Sequence, residues 1–149
     1  MKTFFLGFVV LLSSCASSPK ESPKIQYIEY SKSVSGISPD LVAYNLRINE
    51  KGEVKIKGLM NTPKTGNYKA DLKGQMGEAL WQRLMETDFS KLKTEYGMSA
   101  EDSQTKSLTY ALTNSSGRIQ YKAMEPAILK ELEVVFDAVV RISKPEENE

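Results

Sequence analysis

The stretch Leu41-Val42-Ala43-Tyr44-Asn45-Leu46-Arg47-Ile48-Asn49-Glu50-Lys51-Gly52-Glu53-Val54-Lys55-Ile56-Lys57 decides the fold. Val42, Tyr44, Leu46 and Ile48 fall on one face and Asn45 and Arg47 on the other, the period of a half-buried strand. Asn49-Glu50-Lys51-Gly52 reads as a hairpin turn. Asn suits its start, and Gly takes the left-handed position of a G1 bulge without steric cost. Val54 and Ile56 continue the apolar alternation, with Glu53, Lys55 and Lys57 facing out. Two strands joined by so short a turn must pair antiparallel.

The same grammar extends in both directions. Ile25–Val34 is rich in β-branched and aromatic residues and reads as a strand, although it does not alternate cleanly. Asn67 to Leu72 gives a short strand with Tyr68, Ala70 and Leu72 inward. Leu108, Tyr110 and Leu112 alternate up to Asn114-Ser115-Ser116-Gly117, a second turn of the Asn-x-x-Gly form, and Ile119 and Tyr121 return from it.

Two segments switch to helical period. Over Gln75 to Thr87, Met76, Leu80 and Leu84 repeat every four residues and Trp81 widens the stripe. A second helix starts at Pro126, a residue favoured at the first helical position. Ile128, Leu132, Val135, Val139 and Ile142 line its apolar face, and Leu129, Phe136 and Val140 broaden it. Lys130, Glu131, Glu133, Asp137 and Arg141 are expected to point away. The order strands, helix, hairpin, helix predicts an α+β domain: an antiparallel sheet of hairpins with two amphipathic helices packed on one face. A chain of 149 residues is enough for one such domain, placed here at 25–143, with 144–149 as an acidic tail.

The N-terminus has a different grammar. Lys2 is followed by the apolar run Phe4 to Leu12 and the small residues Ser13 and Ser14, the three parts of a secretory signal peptide. The run is shorter than the roughly 20 residues a membrane span needs. Leu12-Ser13-Ser14-Cys15 resembles a bacterial lipobox. The resemblance implies that the Cys15 thiol receives a diacylglyceryl group and that cleavage falls between Ser14 and Cys15, leaving residues 1–14 as the signal. In many bacteria the new amine is acylated too. Two or three acyl chains hold stably in a bilayer where one holds only marginally, since each buried methylene contributes about 0.8 kcal/mol. Residues 15–24 then read as the lipidated cysteine and a Ser/Pro tether reaching roughly 25 Å at about 3.1 Å per residue. Ala16, rather than Asp, follows the cysteine; by resemblance to lipoprotein sorting rules this favours the outer membrane, facing the periplasm.

Charge and composition exclude several chemistries. Lys+Arg number 20 and Asp+Glu 19; losing Lys2 with the signal leaves the mature chain neutral, with no field to attract nucleic acid. The acyl chains on Cys15 are therefore the expected attachment to the bilayer. With no histidine and one cysteine, Ser-His-Asp and Cys-His catalysis, His-based metal sites and an intramolecular disulfide are excluded. Nothing matches the spaced oxygens of a calcium loop or a phosphate-cradling glycine loop, so no metal or cofactor is expected. Lys55, Lys57, Lys64 and Lys69 form a basic strip near Tyr68, read here as a solvated sheet face.

The stretch Ser90 to Thr105 has no period, and segments of this length are usually functional or disordered. It carries Glu95, Tyr96, Glu101 and Asp102, and Tyr is a common interface anchor. These four residues form the candidate partner-binding surface, against the alternative that Leu92 and Tyr96 pack the loop onto the domain.

Taken together, Leu41–Ile48 with the Gly52 turn and Val54, Gly66, Asp88-Phe89, the Tyr96 loop with Asp102, Leu108–Leu112 and Pro126–Leu132 resemble an uncharacterised domain family of small bacterial envelope lipoproteins. That family has two cysteines and a Pro just before the second strand. Here Ser35-Gly36-Ile37-Ser38-Pro39-Asp40 keeps Pro39 and lacks the cysteines. The resemblance implies an envelope location and supplies no activity. The expected function is a non-catalytic module, not an enzyme, that binds an envelope protein or another envelope component. A small-ligand binder with a pocket between sheet and helices, and a hydrolase using carboxylates alone, stay open as alternatives.

Overall fold

A computed structural model of the chain describes residues 24–35, 39–71, 75–98 and 104–143. The signal, Ser14, Cys15, the tether up to residue 23, Leu72, Glu101, Asp102 and the tail 144–149 lie outside the described residues.

The strands are β1 (Ile25–Val34), β2 (Ala43–Asn49), β3 (Glu53–Met60), β4 (Gly66–Asp71), β5 (Glu95–Tyr96), β6 (Gln104–Leu112) and β7 (Ser116–Tyr121); the helices are α1 (Gln75–Glu86) and α2 (Ala127–Ile142). Among the described residues the strands make one sheet in the order β4-β3-β2-β1-β6-β7-β5. Neighbours pair antiparallel except β5, a two-residue strand that runs parallel to β7 at the edge. The centre of the sheet is not a hairpin: β1 pairs with β6 across about seventy residues of chain.

The first turn forms as its residues require. Gly52 has φ +76°, and the Asn49 side-chain oxygen accepts from the backbone N–H of Lys51 and Glu53, both at 3.0 Å. The second Asn-x-x-Gly departs from the expectation. Gly117 lies within β7 rather than in the turn and stands opposite Tyr110. A Cβ there would come within 2.6–2.9 Å of the Tyr110 ring, which stacks on Phe89 at 4.6 Å. The glycine serves packing, not turn geometry.

The irregular alternation of β1 also has a cause. The register shifts between Ile25 and Tyr27, and from there Ile28, Tyr30 and Lys32 all face inward and are buried. On the same side lie Tyr44, Leu46 and Ile48 of β2, Val54 and Ile56 of β3, Tyr68 of β4, Leu108 of β6, and Ile119 and Tyr121 of β7. α2 packs on this face, with Phe136 stacked on Tyr30 at 4.7 Å. α1 enters the same core through Leu80 and Leu84, with Trp81 packed at its margin, and Arg83 pairs with Glu131 of α2.

Two readings of α2 are corrected by the packing. Its buried residues are Leu129, Leu132, Phe136, Val139 and Val140, so the buried stripe is rotated relative to the expected one and Ile142 is 62% exposed. Glu133 and Asp137, expected on the polar face, turn inward because Lys32 and Lys106 on the sheet lie beneath them. Pro126 sits one residue before the helix, where its carbonyl accepts from the N–H of Leu129 at 3.0 Å.

Candidate functional site

Two groups of polar side chains stand out, one on each face of the sheet. On the inner face, Lys32 and Lys106 occupy inward positions of β1 and β6 and are direct cross-strand partners. Like charges so placed repel, and α2 supplies the compensation. Lys32 Nζ donates to Glu133 Oε1 at 2.8 Å and to Asp137 at 2.8 and 3.0 Å. Lys106 Nζ reaches the other Glu133 oxygen at 2.9 Å and Glu125 at 3.6 Å, and lies 5.5 Å from the centre of the Tyr121 ring. Tyr44 donates to Asp137 at 2.6 Å.

The surroundings set the protonation. Burial pushes the phenols of Tyr30, Tyr44 and Tyr121 above their ordinary range, and nearby carboxylates push the same way, so all three stay protonated. Burial works against a charge on Lys106, but Glu133 and Glu125 more than offset it and hold its pKa above the usual lysine value. The network is chemically occupied. Each ammonium holds two carboxylates, each carboxylate holds an ammonium, and α2 lies over them. The crevice beside it, bounded by Val42, Tyr44, Pro63 and Asp137 among others, measures only about 40 Å³. This arrangement clamps α2 to the sheet.

The face opposite α2 is open. A depression of about 440 Å³ lies across β1–β4, and the outward side chains over it are Glu29, Ser31, Asn45, Arg47, Lys55, Lys57, Asn67 and Lys69. Their placement follows from the alternation that buries Tyr30, Leu46, Ile56 and Tyr68 on the other side. Arg47 pairs with Glu29 at 2.9 Å and covers the Tyr27 ring at 4.6 Å. Among the described residues no carboxylate pairs with Lys55 or Lys57. The lining has four cations against one carboxylate, on a chain whose whole charge is nearly balanced.

A family model, domain of unknown function DUF6438, matches residues 35–140. The chain belongs to this family. No curated protein matches it.

The matched region of the DUF6438 domain contains Arg47, Lys55, Lys57 and Lys69, together with Lys106, Glu133 and Asp137. Its 90–105 stretch contributes the last two residues of a 3-10 turn at Phe89–Lys91 and then β5. Glu95 is exposed on that strand. Tyr96 is half-buried against the core, and its hydroxyl accepts from the Lys93 N–H at 2.9 Å. Glu95 and Tyr96 are thus adjacent in one edge strand, while Glu101 and Asp102 lie outside the described residues. Of the basic strip, Lys55, Lys57 and Lys69 do come together. Lys64 sits in the β3–β4 loop away from them, and Tyr68 points to the core.

Sequence reasoning places Asn45 and Arg47 on the outward face of the DUF6438 domain but does not join them, or Asn67, to the lysines, and it misses Lys32, Lys106, Glu133 and Asp137 as a cluster. A signal existed for the lysines: counting back two residues from Leu108 gives Lys106, and forward two from Tyr30 gives Lys32, both in the inward phase. No signal in any one strand indicates which strands lie side by side.

Proposed function

We propose that the chain is a lipoprotein of the bacterial cell envelope, held in the outer membrane by acylated Cys15 and facing the periplasm, and that its domain is a non-catalytic binding module. Both helices cover one face of the sheet, and the opposite face takes a protein or other envelope component. The observation that carries the reading is the open face itself, on which Lys55 and Lys57 have no carboxylate partner among the described residues, set against an inner cluster in which every charge is paired. The lipobox-like Leu12–Cys15 and the tether that ends where β1 begins support the anchoring.

The two other readings have less to rest on. The depression has the volume of a small-ligand site, but it is walled by a single sheet rather than set between sheet and helices. For a carboxylate-based hydrolase, the carboxylates gathered at the inner cluster, Glu125, Glu133 and Asp137, have oxygens engaged by lysines.

The test is site-specific photo-crosslinking in intact cells, with the probe at position 57 on the open face or at position 134, which is exposed on the outer side of α2. Mass spectrometry of the membrane-extracted protein is run alongside. Adducts from position 57 and not 134, with diacylglyceryl on Cys15, are expected. A free Cys15 thiol in membrane-derived protein would overturn the anchoring, and adducts from 134 alone would overturn the assignment of the face.

A further inference from the structure

The register lines up outward side chains of the open face into a row that runs across the strands. Gln120 stands opposite Ser107, Ser107 opposite Ser31, Ser31 opposite Asn45, Asn45 opposite Lys57, and Lys57 opposite Asn67. The row thus passes from β7 through β6, β1, β2 and β3 to β4. All of its members but Lys57 are neutral hydroxyls or amides. Among the described residues, the side chains of Gln120, Ser107, Ser31, Asn45 and Asn67 bond to no other group of the protein. Ser31, Asn45, Lys57 and Asn67 lie in the depression of about 440 Å³. Lys57 is the one cation of the row, and no carboxylate pairs with it among the described residues. In the next row Arg47 is held by Glu29 and Tyr27, and Lys69 also has a partner within the molecule, so these two cations are already engaged.

We propose that the depression takes a glycan strand of the cell wall: β-linked hexose rings with hydroxyl and acetamido groups and an acid group on every second ring. It lies across β1–β4, with ring substituents on Ser31, Asn45 and Asn67 and a carboxylate of one ring on Lys57. This rests on the reading of the domain as a binding module of the envelope and names the component it binds. Strand spacing of about 4.8 Å makes the row from Ser31 to Asn67 about 14 Å long. A hexose ring advances an extended β-linked chain by about one such spacing, so successive rings meet successive strands. An Asn side chain offers two donors and an acceptor, and a Ser hydroxyl both donates and accepts, which is the pairing that ring hydroxyls and acetamido groups require. The aliphatic stems of Lys55 and Lys57 supply apolar surface for the C–H side of a ring.

Other occupants match the row less well. A protein interface centres on buried aromatic or aliphatic anchors, and the row has none. An extended peptide takes its main-chain bonds from a sheet edge, whereas these side chains stand on the face. A nucleic acid or another polyanion is held by an array of cations, and the row has a single one. A chain that is rich in hydroxyls and acidic only at intervals matches both the bonding groups and the charge.

The experiment uses the full chain in a non-ionic detergent without a sugar headgroup. The probe is glycan strands cut from purified peptidoglycan and freed of their peptides by an amidase, and binding is followed by titration calorimetry. The polysaccharide of lipopolysaccharide and an inorganic polyphosphate serve as competing probes. The glycan strands are expected to bind. Asn45→Ala combined with Asn67→Ala should weaken binding at least about tenfold, the effect of two lost hydrogen bonds. Asn45→Glu puts a carboxylate directly opposite Lys57, which favours the sheet but occupies the cation. It should weaken binding by a similar factor in a chain that melts no lower than the parent. Lys130→Ala, exposed on α2, should leave binding unchanged. Strands that fail to bind, or bind equally well to both Asn45 variants, would overturn the proposal. So would tighter binding of the lipopolysaccharide chain or of polyphosphate. If the strands fail while cellular crosslinks from position 57 still map to a protein, the binding-module reading stands and the glycan falls; if both fail, both fall.

Discussion

Lys32 and Lys106 stand directly opposite each other in the β1–β6 register, on the buried side of the sheet, and Glu133 bonds both ammonium groups, one through each carboxylate oxygen. The side chains of the three are 7%, 12% and 14% exposed, so solvent does little to separate the two positive charges. Breaking a buried ion pair by removing one partner typically costs 3–5 kcal/mol or so, because the charge left behind is uncompensated. Glu133→Ala should therefore lose about that much stability in urea unfolding at unchanged m-value. Glu131→Ala removes a carboxylate that is half exposed and pairs with Arg83, and should stay within about 1 kcal/mol. Equal losses at the two positions would mean that Glu133 is not the bridge between sheet and helix.

Phe136 is fully buried and stacks on Tyr30 at the middle of the α2 interface. Phe136→Ala should cost about 3–5 kcal/mol by chemical denaturation. Ile142→Ala, at a residue 62% exposed, should stay within about 0.5 kcal/mol. A loss at Ile142 comparable to that at Phe136 would contradict the phase of the helix.

The domain should be sensitive to alkali. Burial raises the phenols of Tyr30, Tyr44 and Tyr121 above their unfolded pKa of about 10, and the paired carboxylates raise Lys106 likewise. Above pH ~10 the unfolded chain sheds protons that the folded chain retains, so stability is fully present below that pH and is lost as pH rises. Each phenol adds a slope of about 1.4 kcal/mol per pH unit. The urea midpoint should hold steady up to about pH 9 and fall steeply above about 10, with phenolate absorbance appearing together with unfolding. Tyrosine ionisation well before unfolding would contradict the buried network.

Gly52 and Gly58 should respond differently to the same substitution. Gly52 has φ +76° and open space around it, and Asn tolerates that conformation, so Gly52→Asn should cost less than about 1 kcal/mol. A Cβ on Gly58 would lie 2.1 Å from the Lys64 carbonyl oxygen, so Gly58→Asn must displace the β3–β4 loop and should cost about 1–3 kcal/mol or more. Thermal melts of the pair check the order.

Tyr96→Ala separates packing from binding in the 90–105 stretch. The ring packs against the core and its hydroxyl accepts from Lys93, so the melting temperature should drop while crosslinking from position 57 is unchanged. Retained stability with lost crosslinking would return the partner surface to this loop.

The hairpin around Gly52 was readable because its information is local. Alternation over Tyr44–Ile48 and Val54–Ile56 assigns each side chain to a face, and the Asn49 and Gly52 chemistry closes the turn. Both helices were readable for the same reason, although α2 was mis-phased. Its stripe is broad, and periodicity alone cannot tell whether Ile128, Val135 and Ile142 or Leu129, Phe136 and Val140 lie at the centre. That choice depends on what the helix meets, here Tyr30.

By itself, then, the sequence determined the elements other than the two-residue edge strand β5, the class and the inward phase of most strands, because each depends on residues a few positions apart. Tertiary structure alone decided that β1 lies between β2 and β6, a pairing that spans most of the chain and has no local signature. From that one adjacency follows the buried polar group, while the open face is built by the β2–β3 and β3–β4 pairings and gains only its edge from β1. Lys32 is brought against Lys106 and draws Glu133 and Asp137 inward, and on the other side Glu29 and Ser31 close the edge of the Arg47–Lys55–Lys69 face. Charges far apart in sequence become neighbours only when the strands carrying them are packed side by side at about 4.8 Å, and no count of lysines and glutamates along the chain contains that distance.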